Sequence, residues 1–306
     1  MKDIVRESFS LDQRQIDQFQ RQGFLLLKEI FSKDFIKYIH TKIDSDIQTP
    51  SDKYQAGFNR IKFDLFNGDP SISLLMKSQA FRSVMKTLTD RTMIYTQGLG
   101  FELKKNENKG FPWHIGTQSF GYQQASDFGC TIWTPLVPID SPGQRGGMAY
   151  VPKDAVSGDF MYTHVDPAIF GSLRTRIDSG EKIPLEEYIH LRDGPLNDPA
   201  MSKILDCFAV EDSFEIGDAL IFDKHVIHRS VMLDEGPTEM RSAFAMRFIC
   251  ADSRYDQKRA NDLEIPREYF DYAGPTSFHL EVCDKNGELI ADSVFFRSDR
   301  ETRTLA

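Results

Sequence analysis

The clearest strand signals in the chain are FEIGDALIF at residues 214–222 and RSAFAMRFI at residues 241–249. Each is a short run rich in apolar, branched and aromatic residues, which is typical of a buried β-strand. Similar runs predict further strands at 92–97, 98–105, 130–136 and 147–152. Several short strands at this density, after helical patterns near the N-terminus, predict a mainly β protein with flanking helices and a two-sheet barrel or jelly-roll core.

The N-terminal part, residues 11–90, is predicted to be mainly helical. Gly23 can stop a first helix, and Ser32 can cap a second one. We predict, in order, an amphipathic helix, a compact strand, a helix, a polar loop and a helical segment, at 11–19, 24–27, 33–47, 49–61 and 71–90.

The strands of the predicted core fall into two blocks, 92–152 and 210–250, within a single domain spanning 1–306. Between the blocks, residues 155–209 form a loop-rich insertion that contains Pro167, Pro184, Pro195 and Pro199. Long excursions in compact domains are often functional, so a lid over an active site and a solvated decoration both fit this segment. A C-terminal extension, 253–306, alternates apolar and polar residues over 278–296 around Asn286-Gly287, which predicts a hairpin.

Charge and cysteine usage exclude several classes of function. The formal net charge is −9 and the isoelectric point is near 5.3, which argues against nucleic acid or an anionic membrane as the main partner. The four cysteines are scattered without a CxxC pair, which argues against a disulfide scaffold or a cysteine zinc site. We find no signal peptide and no apolar run near the roughly 20 residues of a membrane helix, so we expect a cytoplasmic protein. The oligomeric state is left open.

Three elements suggest a metal centre with an anionic ligand. They are His114 in FPWHIGTQ at 111–118, His225 and His228 after the strand at 214–222, and Arg241 in an apolar strand. Imidazole suits borderline metals, and an arginine inside a strand is rare unless it pairs with an anion. A lone histidine is more often structural, so the set is more informative than any member.

The order and spacing of these elements resemble the phytanoyl-CoA dioxygenase-like branch of the iron(II)/2-oxoglutarate oxygenases. The resemblance covers most of residues 11–250, through QFxxxGFLLL at 18–27, Trp113-His114, GGMAYVP at 146–152 and the block 217–247. It implies a double-stranded β-helix (cupin-like) fold that uses Fe(II), 2-oxoglutarate and O2. It also implies roles for five residues: His114 and His228 as metal ligands, Arg241 on the distal carboxylate of 2-oxoglutarate, and Trp133 and Thr131 in the cosubstrate site.

A second motif competes with His114 for the role of proximal metal ligand. His164-Val165-Asp166 is a literal HxD, the motif that begins with the proximal metal ligand in the family. It follows the strand at 146–152 instead of preceding it, and it lies in the insertion, so His114 is preferred. His40, His190 and His279 have no supporting context and are interpreted as structural or surface residues.

Gly116 stands where the family has the aspartate of HxD. This departure resembles the non-haem iron halogenases, in which alanine or glycine replaces the aspartate and chloride binds the iron. The resemblance implies halogenation of an aliphatic carbon, with chloride as a further cofactor. Arg247 is then a candidate for holding the halide or supporting 2-oxoglutarate, although a plain ion pair at the core edge is an equal interpretation.

Two alternatives remain open at this point. In the first, water, Gln118 or Asp127 completes the iron site, and hydroxylation, desaturation or epimerisation follows. In the second, the chain is a non-catalytic binding protein of the same fold. The substrate is expected to be a small molecule, and the aromatic and basic residues of the insertion also fit a carrier-tethered acid: Phe160, Tyr162, Phe170, Tyr188, Arg174, Arg176 and Arg192.

Overall fold

The structure is a computed structural model that describes residues 4–46, 58–63, 66, 68–270, 278–293, 296 and 304–305. The strands are β1 (Phe24–Leu27), β2 (Arg60–Phe63), β3 (Met93–Lys104), β4 (Gly129–Pro135), β5 (Met148–Tyr150), β6 (Val210–Glu211), β7 (Ala219–Asp223), β8 (His228–Ser230), β9 (Met240–Cys250) and β10 (Thr304–Leu305). The helices are α1 (Gln13–Gln22), α2 (Lys33–Asp46), α3 (Pro70–Lys77), α4 (Gln79–Thr89), α5 (Thr117–Phe120), α6 (Asp166–Asp178), α7 (Leu185–Asn197), α8 (Pro199–Phe208), α9 (Gln257–Asp262), α10 (Ile265–Phe270) and α11 (Phe278–Glu281).

The strands form two antiparallel sheets. Within the described residues, the large sheet has the order β1-β7-β4-β9-β3-β10, with β2 also paired to β3, and the small sheet has the order β6-β5-β8. Side chains of the two sheets share one apolar cluster, in which Trp133 and Ala245 of the large sheet join Met148 and Tyr150 of the small sheet. The prediction of a strand-rich protein with flanking helices is therefore confirmed.

The central strand β9 is apolar on both faces because both faces are covered. Successive side chains of a strand point to opposite sides, so Ala243 and Ala245 face the small sheet while Phe244 and Met246 face the other way. On that second side they join a cluster built largely from the N-terminal helices. This arrangement leaves the face between the sheets available for a site.

The predictions for the N-terminal part are largely confirmed. Asp12 caps α1 through a capping box, and Gly23 ends it in the left-handed region at φ 79°. The helical segment predicted at 71–90 is two helices, because Ser78 ends α3 and caps α4. In the loop predicted at 49–61, residues 49–57 lie outside the described residues, and residues 60–61 belong to β2.

Two strand predictions need correction in extent. The strands predicted at 92–97 and 98–105 are one strand, β3, whose register with β9 shifts between Tyr95 and Gln97. The strand predicted at 214–222 begins only at Ala219, since Gly217 has φ 103° and breaks the extended backbone.

The prediction that residues 155–209 are loop-rich is wrong. The segment holds a π-helical turn at Met161–Val165 followed by α6, α7 and α8. Pro199 lies in the first turn of α8, where proline has no helical hydrogen bond to lose, and Pro167 follows closely on the π-helical turn. Prolines in this segment therefore do not mark loops. We refer to residues 155–209 below as the insertion.

The hairpin predicted at 278–296 is also wrong. Asn286 and Gly287 do form a turn, with Gly287 at φ 80°, but the segment before it is the helix α11. Phe278 and Val282 are four residues apart and share one apolar cluster, as helical neighbours do. After the turn, Leu289 pairs with Arg254, which lies outside the segment. No helix in the described part of the chain is long and apolar enough to cross a membrane.

Candidate metal centre

His114 and His228 are brought together by backbone pairing. His228 begins β8, and an isolated antiparallel bridge joins it to His114, with N–O distances of 3.0 Å and 2.9 Å. The two ring centroids lie 4.1 Å apart. The two histidines that the sequence selects from seven therefore lie with their imidazoles side by side in the structure.

The two imidazoles are oriented in the same way. Nδ1 of His114 is 2.7 Å from the carbonyl oxygen of Pro112, and Nδ1 of His228 is 2.8 Å from that of Val226. A carbonyl only accepts hydrogen bonds, so each Nδ1 carries the proton and each Nε2 presents a lone pair. Metal-binding histidines are commonly oriented in this way, by a hydrogen bond from the ring nitrogen that does not bind the metal. Burial, followed by the neighbouring His114, lowers the pKa of His228 well below its ordinary value, which keeps the ring neutral.

No carboxylate joins this pair. Among the described residues, no group of three or more histidine, cysteine, aspartate or glutamate side chains is placed to hold a metal. Gly116 is buried and donates a hydrogen bond from its amide to the carbonyl of Lys224 over 2.9 Å. A Cβ added there would lie 2.8 Å from Phe120 Cδ2 and 2.9 Å from the Lys224 carbonyl oxygen. Packing therefore excludes a side chain at this position unless its neighbours move.

Arg241 lies in β9 with only 1% of its surface exposed. Its Nε donates to the carbonyl of Gly146 over 2.6 Å, while neither terminal nitrogen has a hydrogen-bond partner in the described residues. The indole Nε1 of Trp133 is also buried without a partner, and the Arg241 guanidinium lies 5.6 Å from the Trp133 ring centroid. Burial lowers the pKa of Arg241 to about 9. Unmatched donors of this kind fit a carboxylate that the protein itself does not supply.

The inner face of β9 borders a cavity that Trp133 and Ala245 line and Arg241 does not. Arg241, Ala243, Ala245 and Arg247 occupy alternate positions, so two small side chains separate two arginines. Across the ladder, Thr131 of β4 pairs with Arg247, which donates to Gln97 on β3 over 3.3 Å. This cavity, which we call the sheet cavity, is lined by polar side chains and Trp133 set among apolar residues: His114, Ser119, Thr131, Trp133, His228, Arg229, Ser230 and Arg247.

A second cavity lies on the other side of His114. We call it the insertion cavity, because part of its wall comes from α6 and α7 of the insertion. Its polar lining residues are His114, Thr117, Gln118, Ser119, Asp166, Arg192 and Arg247. His114 and Arg247 line both cavities, whereas His228 lines only the sheet cavity.

The remaining candidate ligands are not brought to the centre. His164 packs its ring against Phe160 at 5.3 Å between centroids and lines neither cavity. Asp127 accepts a hydrogen bond from the amide of Arg254 over 2.7 Å and is likewise absent from both linings. Of the two residues considered as replacements for the carboxylate, only Gln118 lies beside His114 in a cavity wall.

The sequence does not assign three residues to the neighbourhood of His114 where the structure places them. Asp166 of the rejected HxD motif lines the insertion cavity although His164 does not. Arg192 lines it too, from a helix where a loop was expected. Asn197 binds both backbone groups of Trp113, accepting from its amide over 3.0 Å and donating to its carbonyl over 2.8 Å. No local pattern marks Asn197, since its role depends on where α7 ends.

Comparison with known proteins connects this chain to a fold shared by iron enzymes. No protein-family profile and no curated protein sequence matches the chain. The nogalamycin-biosynthesis epimerase SnoN, in complex with Fe3+, alpha ketoglutarate and nogalamycin RO, is similar with a TM-score of 0.59 at 13% identity, over 90% of this chain and 94% of SnoN. The non-heme alpha ketoglutarate dependent carbocyclase SnoK reaches 0.56 at 12%, over 80% and 87%. EctD from S. alaskensis, with bound Fe, reaches 0.54 at 16%, over 84% of each chain. At these identities the likeness establishes a common fold.

Proposed function

We propose that this chain is an Fe(II)- and 2-oxoglutarate-dependent oxygenase with a two-histidine iron site. Two observations together carry the proposal. Two neighbouring imidazoles present Nε2 lone pairs that can bind a metal, and the terminal nitrogens of the buried Arg241 guanidinium have no partner among the described residues. The structural relatives named above use or bind iron, and SnoN and SnoK depend on alpha ketoglutarate, which supports the same class here. On this proposal the two facing sheets form a double-stranded β-helix, or jelly roll, and the insertion is its lid.

Each residue then has a defined task. Nε2 of His114 and Nε2 of His228 hold the iron, and the carbonyls of Pro112 and Val226 keep both rings in position. The terminal nitrogens of Arg241 bind the distal carboxylate of 2-oxoglutarate, for which the guanidinium fork is the natural partner. Bound iron with 2-oxoglutarate supplies the dioxygen chemistry that breaks an unactivated C–H bond. The apolar walls of both cavities keep water from this chemistry.

The test is an anaerobic titration of the purified protein with Fe(II) and 2-oxoglutarate. We expect a weak visible charge-transfer band in the intact protein and in His164→Ala, and no band in His228→Ala. The two variants are matched because each removes one imidazole, but only His228 belongs to the pair. The absence of any band in the intact protein would leave the non-catalytic binding protein as the better interpretation.

We further propose that chloride completes the iron site and that the enzyme halogenates an aliphatic carbon of a small molecule. The support is the missing carboxylate: Gly116 has no side chain, and packing around it resists one. Two neutral imidazoles leave the metal short of one negative charge and one ligand, and a small anion corrects both deficits. Arg247, which lines both cavities together with His114, is a candidate cation for a halide there.

Chloride dependence tests this step without knowledge of the substrate. At constant ionic strength, chloride but not sulfate should change the visible band and strengthen 2-oxoglutarate binding. Gly116→Asp should lose this response, while Gly116→Ala, which adds the same Cβ contact without a charge, should retain part of it. An identical band in chloride and sulfate would favour hydroxylation, desaturation or epimerisation, with water or Gln118 at the open position.

A further inference from the structure

Four side chains line both the sheet cavity and the insertion cavity, and we call them the shared wall: Phe111, His114, Ser119 and Arg247. On the proposed function His114 binds the iron, and Arg247 is the candidate cation for a halide. Phe111 is apolar. Ser119 is therefore the one polar side chain of the shared wall that has no role so far.

The hydroxyl of Ser119 is available to a ligand. The backbone amide of Ser119 donates to the carbonyl of Gly116 over 3.0 Å, but the half-buried side chain makes no hydrogen bond to the rest of the described chain. Ser230, which lines the sheet cavity alone, differs because its hydroxyl accepts from the amide of Phe111 over 3.1 Å. A serine hydroxyl carries one proton to donate, so Ser119 offers a donor at the shared wall.

The short helix α5, which carries Ser119, is held on both sides of this residue by the insertion. Before Ser119, the hydroxyl of Thr117 donates a hydrogen bond to Oδ2 of Asp166. After it, the carbonyl of Phe120 accepts a hydrogen bond from the hydroxyl of the buried Tyr162 over 2.8 Å. A helix of four residues has little stability of its own, so these bonds determine where the Ser119 hydroxyl lies. A donor fixed in this way needs no reorganisation when a ligand binds.

The position that lacks the carboxylate cannot itself contact an anion in the cavities. A Cβ on Gly116 would point at Phe120 and Lys224, and neither of these residues lines a cavity. An anion bound to the iron must therefore find its other contacts on the shared wall, which contains His114.

We propose that the Ser119 hydroxyl donates a hydrogen bond to the small anion that completes the iron site. The inference rests on the proposed function, because the anion is bound to the iron that His114 and His228 hold. Arg247 contributes charge, whereas the hydroxyl contributes a direction, since it rewards an acceptor at one place only. Gly116 thus leaves out the carboxylate, and Ser119 stabilises the anion that replaces it.

The test measures chloride affinity by spectroscopy, without turnover. The protein with Fe(II) and 2-oxoglutarate is titrated without oxygen by sodium chloride, sodium sulfate keeps the ionic strength constant, and the visible band is recorded. Ser119→Ala should need about tenfold or more chloride for half of the change in the band, since a hydrogen bond to an anion is lost. Ser119→Thr keeps the hydroxyl and should respond like the intact protein.

A third variant separates anion binding from a structural role. Ser119→Asp places a negative charge in the shared wall and should abolish the chloride response, because it repels the anion. In sulfate alone every variant should keep a visible band, which shows that iron and 2-oxoglutarate still bind. Ser172→Ala, exposed on α6, is the control and should respond like the intact protein. Melting curves identify a variant that fails to fold; if Ser119→Ala does, Ser119→Thr and Ser119→Asp carry the test.

The outcomes separate the proposals. The absence of a visible band in the intact protein overturns the proposed function. A normal band that chloride does not change overturns both the chloride step and this inference, and leaves the oxygenase in place. A chloride response that Ser119→Ala or Ser119→Asp retains in full overturns this inference alone.

Discussion

The two walls of the metal centre are built by different means. On the sheet side, Thr131, Ala245 and Arg247 are fixed by the hydrogen-bonded ladder of three adjacent strands. On the insertion side, helices reach the centre through a few side-chain bonds, chiefly Asn197 to Trp113 and Thr117 to Asp166. A ladder fixes positions along its whole length, whereas a side-chain contact fixes one point. On the proposed function, the sheet would hold the iron and cosubstrate chemistry and the insertion would select the substrate.

The largest effect is expected on the sheet side, at Arg241→Met. Removing the guanidinium should weaken 2-oxoglutarate binding by about 100-fold or more, because the distal carboxylate loses a buried ionic partner. The same change should raise the melting temperature of the ligand-free protein, since an uncompensated buried cation is replaced by an apolar chain of similar length. Calorimetry measures the affinity for 2-oxoglutarate, and thermal unfolding measures the melting temperature.

Arg241→Lys is the matched control for this prediction. It keeps the charge and loses the fork, so its affinity for 2-oxoglutarate should fall between those of the parent and Arg241→Met. Unchanged 2-oxoglutarate affinity in Arg241→Met would show that the unmatched donors do not bind the cosubstrate. A fall in both affinity and melting temperature would make Arg241 a structural residue instead.

The same contrast explains how much the sequence could predict. On the sheet side, strand periodicity and an arginine among apolar residues predicted β9 and singled out Arg241, and family spacing selected His228 over His225. The position of Trp133 opposite Ala245, beside the sheet cavity, follows only from the register of β4 with β9, which no local pattern specifies.

On the insertion side, prediction failed because prolines were interpreted as loop residues. Pro199 lies at a helix start, where the lost amide hydrogen would have no partner in any case, and Pro167 follows closely on the π-helical turn at Met161–Val165. With the helices missed, Asp166 and Arg192 could not be placed on a common wall. The order of motifs argues against the HxD at 164–166 as the proximal metal-binding motif, yet its Asp166 lines the insertion cavity.

A smaller effect is expected where the insertion is attached, at Asn197. Asn197→Ala removes both bonds to the backbone of Trp113, so the adjacent His114 should be held less firmly. We expect iron binding to weaken by about tenfold, as for other residues that orient metal ligands, with a shifted charge-transfer band. Iron titration followed by that band provides the measurement.

Asn197→Asp tests the hydrogen bond to the Trp113 carbonyl separately. An aspartate can still accept from the Trp113 amide, but its second oxygen would face the Trp113 carbonyl that now lies 2.8 Å from Nδ2. Asn197→Asp should therefore weaken iron binding at least as much as Asn197→Ala, whereas Asn261→Ala on the exposed side of α9 should have no effect. Full iron affinity in both Asn197 variants would mean that the insertion does not position His114.

The last effect concerns the stability of the protein and not the chemistry of the site, and it depends on Lys224, which contacts both Gly116 and the insertion. Its carbonyl accepts the Gly116 amide, its Nζ donates to the carbonyl of Ala125 over 2.9 Å, and the same Nζ lies 4.3 Å from the centroid of the Tyr162 ring in the insertion. Burial lowers the pKa of Lys224 to about 7, from an ordinary value of 10.5. Below pH 7 the folded protein thus bears the full cost of a buried ammonium group.

Between pH 7 and 10 the unfolded chain binds more protons at this position than the folded protein does. The free energy of unfolding should therefore rise with pH in the parent by up to about 1 kcal/mol per pH unit from this group, and Lys224→Met should lack that rise. Urea unfolding of both proteins at pH 6, 7.5 and 9 gives the comparison, with the exposed Lys203→Met as the control for general pH effects. The advantage of Lys224→Met over the parent should be greatest at pH 6 and smaller at pH 9. Parallel pH profiles for all three proteins would mean that Lys224 keeps its proton when buried and that its contacts with Ala125 and Tyr162 compensate for the charge.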